Sequence, residues 1–145
     1  MKNKISIIEI LIITVSVLIL GWITFAQFQL AGAKSRDVDK KSSLNELGQI
    51  IKLYYADYGT LPSEKTINSL WGKEWKDGDY VYLKKLPQEN NLSKKYCYLI
   101  EGDGESFSLL ADLENKSDSE CQKDKWQCGG EKYCYRHLLP AEIVK

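Results

Sequence analysis

Two kinds of residue in this chain could carry chemistry: its cysteines and a few isolated charges. The cysteines are Cys97, Cys121, Cys128 and Cys134, all in the last third. The gaps between them are 23, six and five residues, so no C-x(2–4)-C zinc knuckle exists. An even count without knuckles reads as disulfides in an exported domain, and four cysteines allow three pairings. The segments Lys95-Tyr-Cys-Tyr98 and Lys132-Tyr-Cys-Tyr135 echo each other as neighbouring strands would. That echo favours Cys97–Cys134 with Cys121–Cys128. The sole histidine, His137, has no acid–nucleophile pattern beside it and reads as exposed and inert. No G-x-S-x-G, Walker or dinucleotide fingerprint occurs, so the chain does not read as an enzyme. Asp112, Glu114, Asp118 and Glu120 form an acidic run that calcium could use. It lacks the D-x-D-x-D-G spacing, and a solvated acidic loop with no cofactor is the expectation.

Glu9 is the most informative charge. It is the one ionisable residue in the 29 residues Ile5–Ala33, and a carboxylate so placed in an apolar run costs a few kcal/mol on insertion scales. The overall figures hide this. The 145 residues carry 20 basic and 20 acidic side chains, and the mean hydropathy of -0.36 suits an ordinary soluble protein. Without residues 1–33 the remaining 112 positions hold 18 basic and 19 acidic residues. A near-neutral remainder argues against nucleic acid as a partner, despite Trp71 and Trp75, which read as core plugs beneath a loop.

The elements that must position these residues follow from the pattern. Ile5–Ala33 as helix would be about 43 Å long, more than one bilayer needs, so its end should project from the lipid. No proline precedes Pro62, and one helix should continue to about Tyr58. Leu44, Leu47, Ile51, Tyr54 and Tyr58 recur at spacings of three and four, which makes one apolar stripe. The charged collar Lys34–Lys41 reads as a solvated face. Gly59 followed by Leu61-Pro62 is a helix stop. Residues 59–79 read as loop. Residues 80–112 read as a β-meander with strands at Tyr80–Leu83, Tyr96–Ile100 and Phe107–Ala111, the last two joined by a glycine turn at Glu101–Ser106. Residues 113–145 would be a disulfide-tied C-terminal region. Helix then antiparallel strands is the α+β order: a long N-terminal α-helix, half transmembrane and half amphipathic, packed on a small antiparallel sheet.

The stretch Ile5-Ser-Ile-Ile-Glu9 and the apolar run to Leu20 resemble the N-terminus of type IV pilins and type II secretion pseudopilins. In that family a short basic leader, here residues 1–4, precedes a cut, and a glutamate stands fifth after it. Counting Ile5 as one places Glu9 fifth. Ser35–Pro62 is similar to the family's emergent helix and its end, and Tyr82–Pro87 to a segment leading into the sheet. The position before the cut is usually Gly in the family and is Lys4 here. Processing between Lys4 and Ile5 and an intact leader therefore both stay open.

The resemblance implies a single-pass cytoplasmic-membrane protein with an extracytoplasmic head at 34–145. It would assemble through its apolar helix, with Glu9 as the buried assembly charge. Its partners would be copies of itself and other pilin-like subunits, the inner-membrane assembly platform, membrane lipid before assembly, and prepilin peptidase if the leader is cut. A rival reading is a disulfide-stabilised binding domain, either membrane-anchored or cut after Ala33 and secreted.

Overall fold

In the computed structural model, residues 7–89, 94–102, 104–122 and 125–141 are described. The unbroken periodic run from the sequence forms one helix, α1, Ile7–Tyr58, of 52 residues and about 78 Å. It ends where turn chemistry demands: Gly59 adopts φ 68° and its N–H closes on the Tyr55 carbonyl at 2.7 Å. The apolar stripe becomes the core face. Leu44, Leu47 and Ile51 are fully buried, Tyr54 packs on their edge and Tyr58 is half exposed.

Residues 59–79 are not all loop. They contain a short helix α2, Glu64–Ser69, whose N-cap Ser63 accepts the Thr66 N–H, and strand β1, Trp75–Asp77. Strand β2, Tyr80–Leu83, pairs antiparallel with β1 as a separate two-stranded ribbon. It does not join the expected meander.

The main sheet has the order β3-β4-β7, all antiparallel: β3 is Cys97–Glu101, β4 is Ser106–Ala111 and β7 is Tyr135–Pro140. The β3–β4 hairpin turns at the expected glycines. Side chains alternate across a strand, and the two faces of this sheet take different covers. Tyr98, Phe107, Leu109, Tyr135 and Leu139 join the α1 stripe in the main core. Cys97 and Leu110 face a second, smaller core built with Tyr133, Trp126 and Cys128. Those last residues come from β5, Trp126–Cys128, and β6, Glu131–Tyr133, a hairpin laid over the outer face. The head is thus three layers: helix, sheet, hairpin.

The β3 edge is closed by side chains of α2. Asn68 Oδ1 accepts the Tyr98 N–H and Asn68 Nδ2 donates to the Tyr98 carbonyl, both at 2.8 Å. Glu64 accepts the Ile100 N–H at 2.7 Å. These three bonds replace a fourth strand and blunt the edge. Helix and sheet approach closely at Gly48, where a Cβ would lie 2.2 Å from Leu139 Cδ1. Trp75 is buried against Tyr54 and Tyr82, and Trp71 meets the Tyr96 ring edge-on.

Candidate functional site

Two surfaces of α1 concentrate the unusual physical chemistry. The first is its N-terminal half. Ile7, Trp22 and Phe28 are each about four-fifths exposed, and large apolar side chains stay exposed on every side of the helix from Ile7 to Leu30. The hydroxyls of Thr14, Ser16 and Thr24 donate back to carbonyls one turn earlier, so they add no free polar groups to this surface. Glu9 stands exposed within it. This helix is long and apolar enough to cross a membrane once. Lys4 and Ile5, the residues flanking the expected cut, lie outside the described residues.

The second surface is the collar. It is solvated only in part: Lys34, Ser35, Arg36, Val38 and Asp39 are exposed, and Asp37 and Lys40 are not. Asp37 is 2% exposed and Lys40 8%. Asp37 accepts the backbone N–H of Glu114 at 2.8 Å and of Asn115 at 2.7 Å. The Lys40 ammonium sits 2.8 Å from the buried Glu89 carboxylate and donates to the Asp112 carbonyl at 3.2 Å. Glu114 and Asp37 oxygens lie 3.6 and 3.9 Å from it. Arg36 forks onto Glu114, and Lys41 holds Asp118 and Glu120. The sequence signal was available: Asp37 and Lys40 precede Leu44, Leu47 and Ile51 at the same three–four spacing. The core stripe begins with two charges.

The acidic run is therefore engaged rather than solvated. Bonding to Arg36 holds the Glu114 carboxyl below its ordinary range, against a small desolvation penalty. The Glu120 backbone N–H, then Lys41, does the same for Asp118. For Asp112, burial works the other way but is outweighed by Lys116 and Lys94. Among the described residues no three His, Cys, Asp or Glu side chains are grouped to hold a metal. An open groove beside the clamp is lined by the cations Arg36, Lys40, Lys94 and Lys116 and the carboxylates Glu89, Asp112 and Glu114.

The cysteines pair otherwise than the echo suggested: Cys97–Cys128 and Cys121–Cys134. The reason is strand order. β4 lies between β3 and β7, so Cys97 and Cys134 are not on neighbouring strands. Cys97 points to the outer face, where the β5–β6 hairpin delivers Cys128. Cys134 sits at the start of β7, where its carbonyl accepts the Gln122 N–H and brings Cys121 within 4.6 Å, Cα to Cα.

His137 is also not exposed. It lies between Tyr135 and Leu139 on the inward positions of β7, half-buried, and among the described residues its Nε2 has no hydrogen-bond partner. Burial lowers its pKa, and the Lys52 charge lowers it further against a weaker pull from Glu120. Compared with protein-family models, with curated proteins and with solved structures, the chain matches none.

Proposed function

We propose that the chain is a structural subunit of a type IV pilus-like or type II secretion pseudopilus-like filament. Its apolar helix half anchors it in the cytoplasmic membrane as a single span, with the head outside. It then packs against the same half of other copies as they assemble. Glu9 is the assembly charge: a carboxylate surrounded by lipid or neighbouring helices is stable there only when paired with a cation. The observation that carries this reading is the division of α1. One continuous helix has half its length built into the head and half left apolar on every side, with a single carboxylate near its N-terminal end. The clamp at Asp37 and Lys40 supports it, because a helix that transmits position needs a head that cannot rotate on it. Two disulfides fit an extracytoplasmic head.

The test is the N-terminus of the protein recovered from membranes, read by mass spectrometry, combined with Glu9→Ala. A chain starting at Ile5 with a methylated amine, or an intact chain that polymerises, supports the proposal. Glu9→Ala should then abolish filaments while membrane insertion stays normal. A chain starting at Lys34 would mark a secreted domain and end the filament reading. Unchanged filaments from Glu9→Ala would remove Glu9 from the mechanism.

A further inference from the structure

Asn115-Lys116-Ser117 is an Asn-x-Ser triplet whose middle residue is not proline, the acceptor pattern for N-linked glycans on exported chains. Such triplets arise by chance, so the geometry has to decide whether this one can be used. The triplet lies between β4 and β5, outside any helix or strand, with Lys116 and Ser117 exposed. Asn115 Oδ1 accepts the Ser117 N–H at 3.2 Å, and the Asp118 N–H donates to the Asn115 carbonyl at 3.1 Å. The two bonds close a tight Asx-type turn. The Asn115 N–H is fixed from below by Asp37.

Among the described residues, the N–H, carbonyl and Oδ1 of Asn115 are engaged and Nδ2 is not. Asn68 shows the opposite case. It spends both ends of its amide on Tyr98, and its nitrogen is committed to the β3 edge. The turn also sits at the base of the head. Asp37, which holds it, is about 6 Å along the helix from Ala33, close to where a lipid-borne donor would lie.

We propose that Asn115 is the acceptor of an N-linked glycan. The donor class is a saccharide carried on a lipid diphosphate. Asn115 Nδ2 attacks the anomeric carbon, the bond from that carbon to the diphosphate oxygen breaks, and a carbon–nitrogen bond forms. The amide gives up one proton and the lipid diphosphate leaves. No electrons change hands. The proposal rests on the head being extracytoplasmic, where the transfer takes place.

The experiment is peptide mapping by mass spectrometry on the full-length protein isolated from the cells that make it. The expected result is a saccharide mass on the peptide holding Asn115, lost in Ser117→Ala and retained in Ser117→Thr. Ser117 is exposed, so neither variant should disturb folding. A bare Asn115 overturns the proposal. The state of Cys121 and Cys134 in the same digest shows whether the export reading falls with it: a formed disulfide leaves the filament reading standing, and free thiols remove both. Saccharide on Asn91, which heads the other Asn-x-Ser triplet and lies outside the described residues, with Asn115 bare, also overturns the proposal.

Discussion

The two halves of α1 share a backbone conformation and invert the usual rule of burial. In the first half isoleucines, leucines and a tryptophan are exposed. In the second, an aspartate and a lysine are buried alongside the core leucines. The difference lies in what each half has been given to touch. From Asp37 onward the chain supplies its own partners: backbone N–H groups at Glu114 and Asn115, the Glu89 carboxylate, and the inner sheet face. Before Lys34, among the described residues, the large apolar side chains stay exposed. Hydropathy alone says which residues avoid water, whereas the fold says which of them are satisfied within one chain.

The largest expected effect breaks the comparison at the clamp. Lys40→Ala leaves the Asp37 and Glu89 carboxylates buried without their shared cation. Removing one partner of a buried pair costs about 3–5 kcal/mol. Urea unfolding of the detergent-solubilised full chain, followed by tryptophan fluorescence, should show that loss. Glu9→Ala, in the exposed half, should leave the same curve unchanged. A loss under about 1 kcal/mol, the range of an exposed pair, would mean that the collar is a surface feature after all.

Next come the disulfides, which belong wholly to the head. Replacing both cysteines of either pair by serine should cost about 2–4 kcal/mol. The Cys97–Cys128 bridge spans 31 residues and Cys121–Cys134 spans 13, so chain entropy makes the first loss the larger. The single variants Cys97→Ser and Cys134→Ser should each leave the other bridge intact in a non-reducing digest. A digest linking Cys97 to Cys134 would contradict the strand order itself.

Gly48→Ala tests the seam between helix and sheet. The new methyl meets Leu139 Cδ1, a flexible side-chain end that must move. Overpacking of this kind costs about 1–3 kcal/mol. Adding Leu139→Ala should recover part of it, so that the double variant is less destabilised than the two singles added together. An alanine at Gly21, where a Cβ meets nothing, should be silent for the head.

What the sequence disclosed was local. The Leu44–Leu47–Ile51 spacing, the Gly59 stop and the glycine turn between β3 and β4 each depend on a few adjacent residues, and each stands where expected. What it hid was non-local or small. Cysteine pairing depends on β4 lying between β3 and β7, which no spacing encodes. Six residues of α2 and three of β1 are too short for a period to register, yet α2 closes the β3 edge. The charges of Asp37 and Lys40 point to solvent while their phase in the helix points to the core. Continuing the three–four stripe backwards would have placed them on the core face, but only the fold reveals the loop that receives them.

The smallest effect is a dependence on pH, and its sign separates two sets of groups. His137 has a folded pKa below its ordinary 6.5, so folding favours the neutral imidazole. Its contribution is fully present above pH 6.5 and is lost as pH falls through the lowered value. Asp112, Glu114 and Asp118 are also depressed, from 3.8, 4.5 and 3.8 respectively. Their contribution persists until the pH drops below those figures, whereas the loss from His137 already begins as the pH falls below 6.5. Between pH 7 and 5, head stability should decline gently, and His137→Gln, which cannot gain a charge there, should flatten that slope. Lys52→Met should reduce it, because the neighbouring cation no longer opposes protonation. Neither substitution should alter the steeper decline below about pH 4.5, which belongs to the carboxylates. If His137→Gln keeps the parent slope between pH 7 and 5, the imidazole is not the titrating group, and the α1–β7 contact at that point tolerates charge better than its burial implies.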